Sequence, residues 1–175
     1  RIKETYKKYS ETILNKAFNQ ILLDSEKQSR RIISKLPDGI YKAKDYIDGD
    51  GNVKNQISVQ IKIQIKGSNI LFDYTGCSQA RKAPINCSLG ALTSAVKTVF
   101  KALVEPFAPS NEGYFKPMKI IIPKNTIFSA EKPSPTGWYY EGVSQASELA
   151  WKALAPLAPN RFSAGTYMSL CATYI

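Results

Sequence analysis

The sequence predicts an α+β fold, in which an antiparallel β-meander and hairpin packs with long amphipathic helices as part of a larger polypeptide. Three observations predict it. Ile57, Val59, Ile61, Ile63 and Ile65 alternate with Ser58, Gln60, Lys62, Gln64 and Lys66, the period-two pattern of a half-buried strand. Leu89, Leu92, Val96, Val99 and Leu103 recur every three or four residues, which marks one helical face. Proline and glycine clusters separate these segments and supply turn chemistry.

From the first residue, Ile2, Tyr6, Tyr9, Ile13, Ala17 and Ile21 hold helical spacing, widened by Leu14, Phe18 and Leu22. The pattern weakens toward Ile32-Ile33 and meets Pro37, which disfavours helix in the residue before it. A long helix over 1–36 is expected, with a break near Asp24-Ser25. Pro37-Asp38-Gly39 turns the chain into a strand over 40–47. Asp48-Gly49-Asp50-Gly51-Asn52 has the acidic spacing of a calcium loop, but its twelfth position is Val59 rather than glutamate, so it reads as a hairpin turn. Gly67-Ser68-Asn69 turns the alternating strand back through Ile70, Phe72 and Tyr74.

Residues 75–88 are irregular. The second helix ends at Pro106, a strand over 118–122 is closed by Pro123, and Val143, Ala146, Ala150, Ala153 and Leu157 outline a third helix ending near Pro156. A last strand is expected within 163–175. The division is a helical segment over 1–36 and an α+β region over 37–175. Arg1 is no initiator, and the chain stops in an apolar run, Cys171–Ile175, so both ends read as cut.

Lysine and arginine number 24 against 14 acidic residues, a formal charge of +10. The cations are spread along the chain and form no recognisable nucleic-acid-reading motif. A cationic face toward acidic partner subunits or an anionic substrate is the better reading; a basic nucleic-acid-binding domain is the weaker rival. Three cysteines without close pairing argue against a disulfide framework or zinc knot and fit a reducing cytoplasm. No apolar run of about 18 residues is present, so no transmembrane helix is expected.

The chain contains no histidine, which removes histidine-based triads and histidine-ligated zinc from this stretch. No phosphate-cradling glycine loop appears, so any nucleotide is bound elsewhere. The candidates lie in loops. Asp73 and Glu141 are the candidate catalytic carboxylates. Thr75, Gly76, Asn86, Asn111, Glu112, Gly137, Trp138, Tyr139, Ser144 and Gln145 are the candidate substrate contacts. No metal-ligating set is identified. Each has a plainer reading: Asp73 ends a strand, Asn86 and Asn111 hold turns or caps, Ser144 is an ordinary helix residue, and Glu141 is a solvated first-turn carboxylate. Cys77 and Cys87 would need an activating environment, which Arg81 and Lys82 between them are placed to supply.

These clusters, in this order, resemble a known family. Leu36-Pro37-Asp38-Gly39-Ile40-Tyr41 and Asp45-Tyr46-Ile47-Asp48 resemble the "LPDG-Y" and "DYLD-DG" stretches of hydantoinase B proteins. Phe72-Asp73-Tyr74-Thr75-Gly76-Cys77-Ser78 is similar to their "DFTGSS" strand end, and Pro84-Ile85-Asn86-Cys87 to their "G-(I/L)N" loop. Asn111-Glu112-Gly113 with Phe115-Lys116-Pro117 resembles their "N-GC-RP" segment. The resemblance implies part of a larger B-type subunit in an ATP-dependent hetero-oligomer that opens cyclic amides such as hydantoins or 5-oxoproline, or carboxylates ketones such as acetone or acetophenone. It implies an A-type partner that binds ATP and magnesium, and a divalent-metal segment upstream of Arg1. A non-catalytic assembly role is the structural alternative. Where the family reads "G-GNVETSQR", this chain has Gly137-Trp138-Tyr139-Tyr140-Glu141-Gly142-Val143-Ser144-Gln145, and "GTMNN" becomes Gly165-Thr166-Tyr167-Met168-Ser169. Three aromatics in place of the Asn loop point to a more apolar, ketone-like substrate.

Overall fold

The computed structural model describes residues 2–52 and 54–165. The first apolar face forms two helices, α1 (Ile2–Lys8) and α2 (Glu11–Ile33). The break therefore falls at Ser10 and not near Asp24-Ser25. Ser10 is extended, at φ −65° and ψ 151°, and its hydroxyl accepts the Ile13 N–H, which starts a new helix. At the expected break the helix runs on: Asp24 accepts from Gln20 at 2.8 Å, and the buried Ser25 hydroxyl accepts from Asn111 at 2.8 Å. α2 stops before Pro37, as a helix must.

β1 (Gly39–Ile47), β2 (Ile57–Lys66) and β3 (Asn69–Asp73) form the expected antiparallel meander. Gly67, at φ +57°, opens the two-residue turn between Lys66 and Asn69. Helices α3 (Leu89–Val104) and α4 (Glu112–Phe115) follow, then β4 (Met118–Ile121) and α5 (Tyr139–Leu154), which tightens into a 3₁₀ turn over Ala155–Leu157. The sheet order is β1-β2-β3-β4. β4 pairs parallel to β3, from Ile70 beside Met118 to Asp73 beside Ile121, so the sheet is mixed. The last expected strand has no regular structure at residues 163–165 and otherwise lies outside the described residues, with Tyr167, Met168, Ser169 and Cys171.

One sheet face is packed. Ile57, Val59, Ile61, Ile63 and Ile65 of β2 are each at most 2% exposed, with Ile70 and Phe72 of β3 beside them. α5 lies against β1 and β2, and α3 packs on α5. Tyr74, at the end of β3, is fully buried; its hydroxyl donates to the Ala146 carbonyl at 3.0 Å and ties the sheet to α5. Asp45 on β1 pairs with Lys152 of α5 at 3.0 Å.

A smaller contact joins α4 to α2. Asn111 caps α4 by accepting the Tyr114 N–H at 3.1 Å. Gly113 lies so close to α2 that an added Cβ would collide with the Leu22 backbone. Among the described residues no helix is long and apolar enough to cross a membrane.

The Gly113 contact is testable. Gly113→Ala forces α4 away from α2 and is expected to lower unfolding free energy by about 1–3 kcal/mol, the usual range for overpacking. An unchanged urea midpoint would show that the two helices are not held by this approach.

Candidate functional site

Asn86 organises the region around the start of α5. It is fully buried. Its Oδ1 accepts the Arg81 N–H at 2.6 Å, and its Nδ2 donates to the carbonyls of Arg81 at 2.8 Å, Ala83 at 3.0 Å and Pro135 at 2.8 Å. These bonds fasten the 81–86 loop to the segment leading into α5. The Trp138 N–H then donates to the Pro84 carbonyl at 2.8 Å. Gly142, one turn into α5, leaves space for Cys87: a Cβ there would sit 3.2 Å from the Cys87 Cβ.

The docked helix start and the 49–51 turn enclose an open cleft of about 370 Å³. Gly49, Asp50, Gly51, Pro84, Ile85, Trp138 and Glu141 line it. Asp50 is nearly buried; its carboxylate accepts from Arg81 Nε at 3.1 Å and from the Asn52 N–H at 3.0 Å. In sequence this Asp reads as turn chemistry, which misses its place in the cleft. The available signal is its acidic-glycine turn, but the Arg81 partner lies 31 residues away. Trp138 is 41% and Tyr139 52% exposed. The Trp138 and Tyr140 rings meet edge to face at 5.3 Å.

A second cluster lies at the end of β3. Asp73 pairs with Lys62 at 2.9 Å and accepts the Thr75 N–H at 3.0 Å. Burial pushes its carboxyl up, but the hydrogen bonds from Thr75 and Lys62 and the Lys62 charge outweigh this and hold it below the ordinary aspartate range. A carboxylate so held is a poor proton acceptor near neutral pH. Gln60 donates to the Thr75 carbonyl at 3.0 Å, and Gly76, at φ +94°, passes so close that a Cβ would strike the Gln60 amide. Asp73 and Thr75 line a cleft of about 560 Å³ with Lys42, Lys44, Gln60 and Lys62.

The other candidates lie apart from both clefts. Asn111 spends its amide on Tyr114 and Ser25, and the exposed Glu112 pairs with Lys97 at 2.9 Å. Ser144 is half-buried on α5, and Gln145 is buried with no hydrogen-bond partner for its Nε2. Burial raises the Cys77 thiol to about 11 and the Cys87 thiol to about 12, so both stay protonated at neutral pH. Among the described residues no group of three or more His, Cys, Asp or Glu is placed to hold a metal ion. The structure thus gathers Asn86, Gly137, Trp138, Tyr139 and Glu141 around the start of α5. It leaves Asp73, Thr75 and Gly76 at the end of β3, Asn111 between α2 and α4, and Glu112 on the exposed start of α4 beside α3.

This arrangement of a mixed sheet backed by α5 and α3 is shared with ATP-dependent enzymes of known structure. An ATP-dependent caprolactamase from Pseudomonas jessenii superposes with a TM-score of 0.82 at 18% identity, covering 91% of this chain and 28% of that one. A nucleotide-free acetone carboxylase gives 0.72 at 13% identity, over 91% of this chain and 23% of that one. The family model for hydantoinase B/oxoprolinase matches residues 1–175, and the chain belongs to that family. A Pseudomonas sp. (strain NS671) protein assigned as the B-type component of a D-/L-hydantoinase is 31% identical over 173 residues, 93% of this chain and 29% of the relative. An uncharacterised protein from Methanocaldococcus jannaschii is 30% identical over 171 residues, 97% of this chain and 30% of the relative. The chain therefore spans under a third of the length of these curated relatives.

Two outcomes follow for the site's framework. Asn86→Ala strips the Arg81 N–H and the carbonyls of Arg81, Ala83 and Pro135 of a partner; the bond to Ala83 is buried and the others partly so, and a buried orphan costs about 1–3 kcal/mol. Thermal unfolding should show a loss at least that large; a wild-type melting temperature would refute the framework role. For Asp73 the folded carboxyl is held below its ordinary 3.8, so its contribution is present above that value and fades as pH falls through the lower folded one. The stability gap between wild type and Asp73→Asn should be constant near neutral pH and close in acid. A gap independent of pH would remove the Lys62–Thr75 account.

Proposed function

We propose that this stretch forms one wall of the substrate cleft in a B-type subunit of an ATP-dependent complex that acts on an apolar carbonyl compound. A lactam or a ketone fits that description better than a polar hydantoin or 5-oxoproline. The observation that carries the reading is the mouth at the start of α5. Exposed Trp138 lines the cleft there with Glu141, Pro84 and Ile85, and the exposed Tyr139 follows it in the first turn of α5. Aromatic walls with a few convergent polar groups suit an apolar ligand bearing one reacting carbonyl.

In this reading Glu141 serves as the acid–base carboxylate at the reacting carbonyl, and Asp50, pinned by Arg81, shapes the opposite wall. In this reading ATP and magnesium are bound by an A-type partner subunit, with which a sequence that carries no phosphate loop is in keeping. A divalent metal, where the enzyme uses one, belongs to the remainder of the subunit. Ser144 and Gln145 on the first turns of α5 are kept as candidate substrate contacts, with the orphaned Gln145 amide the more telling of the two. A second reading, in which the region only shapes the assembly, is favoured by the amides of Asn86 and Asn111, which are spent on the chain's own groups.

ATP turnover of the full complex, measured with caprolactam, acetone, acetophenone, hydantoin and 5-oxoproline, separates the substrates. Stimulation by 5-oxoproline alone would sink the apolar-carbonyl reading. Glu141→Gln should lower kcat by about 10²–10⁴-fold, the usual worth of a general acid or base. Trp138→Ala should chiefly raise KM. Unchanged turnover in both variants, with the complex intact, would leave only the assembly role.

A further inference from the structure

The sheet has a second face, and among the described residues no helix covers it. Its strands carry five lysines there, Lys42, Lys44, Lys62, Lys66 and Lys119, against one carboxylate, Asp73. All five lysines are exposed. The register sets Lys42 directly opposite Lys62, and like charges in that position repel. Asp73 relieves Lys62. Lys42, Lys66 and Lys119 have no carboxylate partner among the described residues. Between the charges, Ile40 is 58%, Tyr46 44% and Ile121 39% exposed.

We propose that this face docks an acidic surface of a separate protein chain, the ATP-binding partner subunit; this rests on the multi-subunit reading above. Five cations against one anion call for a negatively charged occupant, and the interleaved aliphatic and aromatic groups call for a protein surface. Antiparallel sheets commonly pack one face on the core and leave the other to solvent, and their strands then alternate apolar with polar residues. The alternation of β2 from Ile57 to Lys66 fits a face that is wet in the free subunit and covered on assembly. Such a charge pattern also speeds encounter with an oppositely charged partner.

The test uses the full-length subunit and its ATP-binding partner, purified separately and recombined. The triple variant Lys42→Gln, Lys66→Glu, Lys119→Glu puts no new carboxylate opposite Lys62 and leaves the α5 cleft untouched. Its association rate should fall by about 10-fold or more at low salt and lose most of its salt dependence, as expected for steering. The melting temperature of the isolated subunit should not fall, since the change at Lys42 only relieves its repulsion with Lys62. A control reversal of Lys3, Lys7 and Lys16, on α1 and α2, should bind as wild type. Unchanged association of the first variant, or an equal loss in the control, overturns the proposal. So does a lower melting temperature of the isolated variant, which would mean that the subunit's own chain covers the face. Salt-sensitive retention of a single-stranded oligonucleotide that only the first variant loses, with partner binding intact, would assign the face to a nucleic acid instead. If the wild-type subunit forms no complex, the multi-subunit reading itself fails.

Discussion

Five aliphatic side chains in one row of β2 set the terms for the rest of the molecule. Ile57, Val59, Ile61, Ile63 and Ile65 are each at most 2% exposed. Burying a side chain of this kind contributes roughly 1.5–3 kcal/mol, whereas a surface ion pair such as Lys97–Glu112 contributes about 0–1. The row therefore decides where α5 lies, and α3 follows by packing on α5. It also decides the opposite face. A slip of one residue would turn Lys62 inward and Ile63 outward, so the packed core and the lysine-rich face are a single choice of register.

The cleft depends on that core through two buried polar side chains, Tyr74 and Asn86. Tyr74 fixes the sheet to α5 through the Ala146 carbonyl. Asn86 then fixes the approach to α5 through Arg81, Ala83 and Pro135. A buried amide with every partner in place specifies one loop conformation, because any other would leave several buried groups unpaired. Arg81 carries the same constraint outward. Its N–H is held by Asn86 while its guanidinium holds Asp50, so the 49–51 turn is set against Pro84 and Trp138.

Periodicity made the meander, α3 and α5 legible, because each buries one face along its own length. It did not show the break at Ser10, because Tyr9 and Ile13 keep helical spacing straight across the cap. Nor did it show that β4 pairs parallel to β3, since alternation marks a strand and not its neighbour. The polar loop clusters did mark special positions, though several proved special for folding. Asn111 and Gly113 bind α4 to α2, and Gly76 is required where its backbone passes Gln60. Asp50 was legible as a turn residue and illegible as a cleft wall, because its meaning depends on an arginine distant in sequence.

The start of α5 departs from what stability alone would select. Its N-cap is Trp138, at φ −107° and ψ 38°, with no side chain accepting from the first turn. A serine, aspartate or asparagine there is typically worth about 1 kcal/mol. Ser10, Ser88 and Asn111 cap α2, α3 and α4 in that way, so the chain uses the device elsewhere. At α5 it instead leaves two large aromatics about half exposed, of which Trp138 lines the cleft with Glu141. Local rules for folding are broken most readily where a surface serves a ligand. Gly76, Asn86 and Asn111 are explained by what they hold together, whereas the side chains of Trp138 and Tyr139 meet chiefly the Tyr140 ring, and it is on that contrast that the proposal for the mouth of α5 rests.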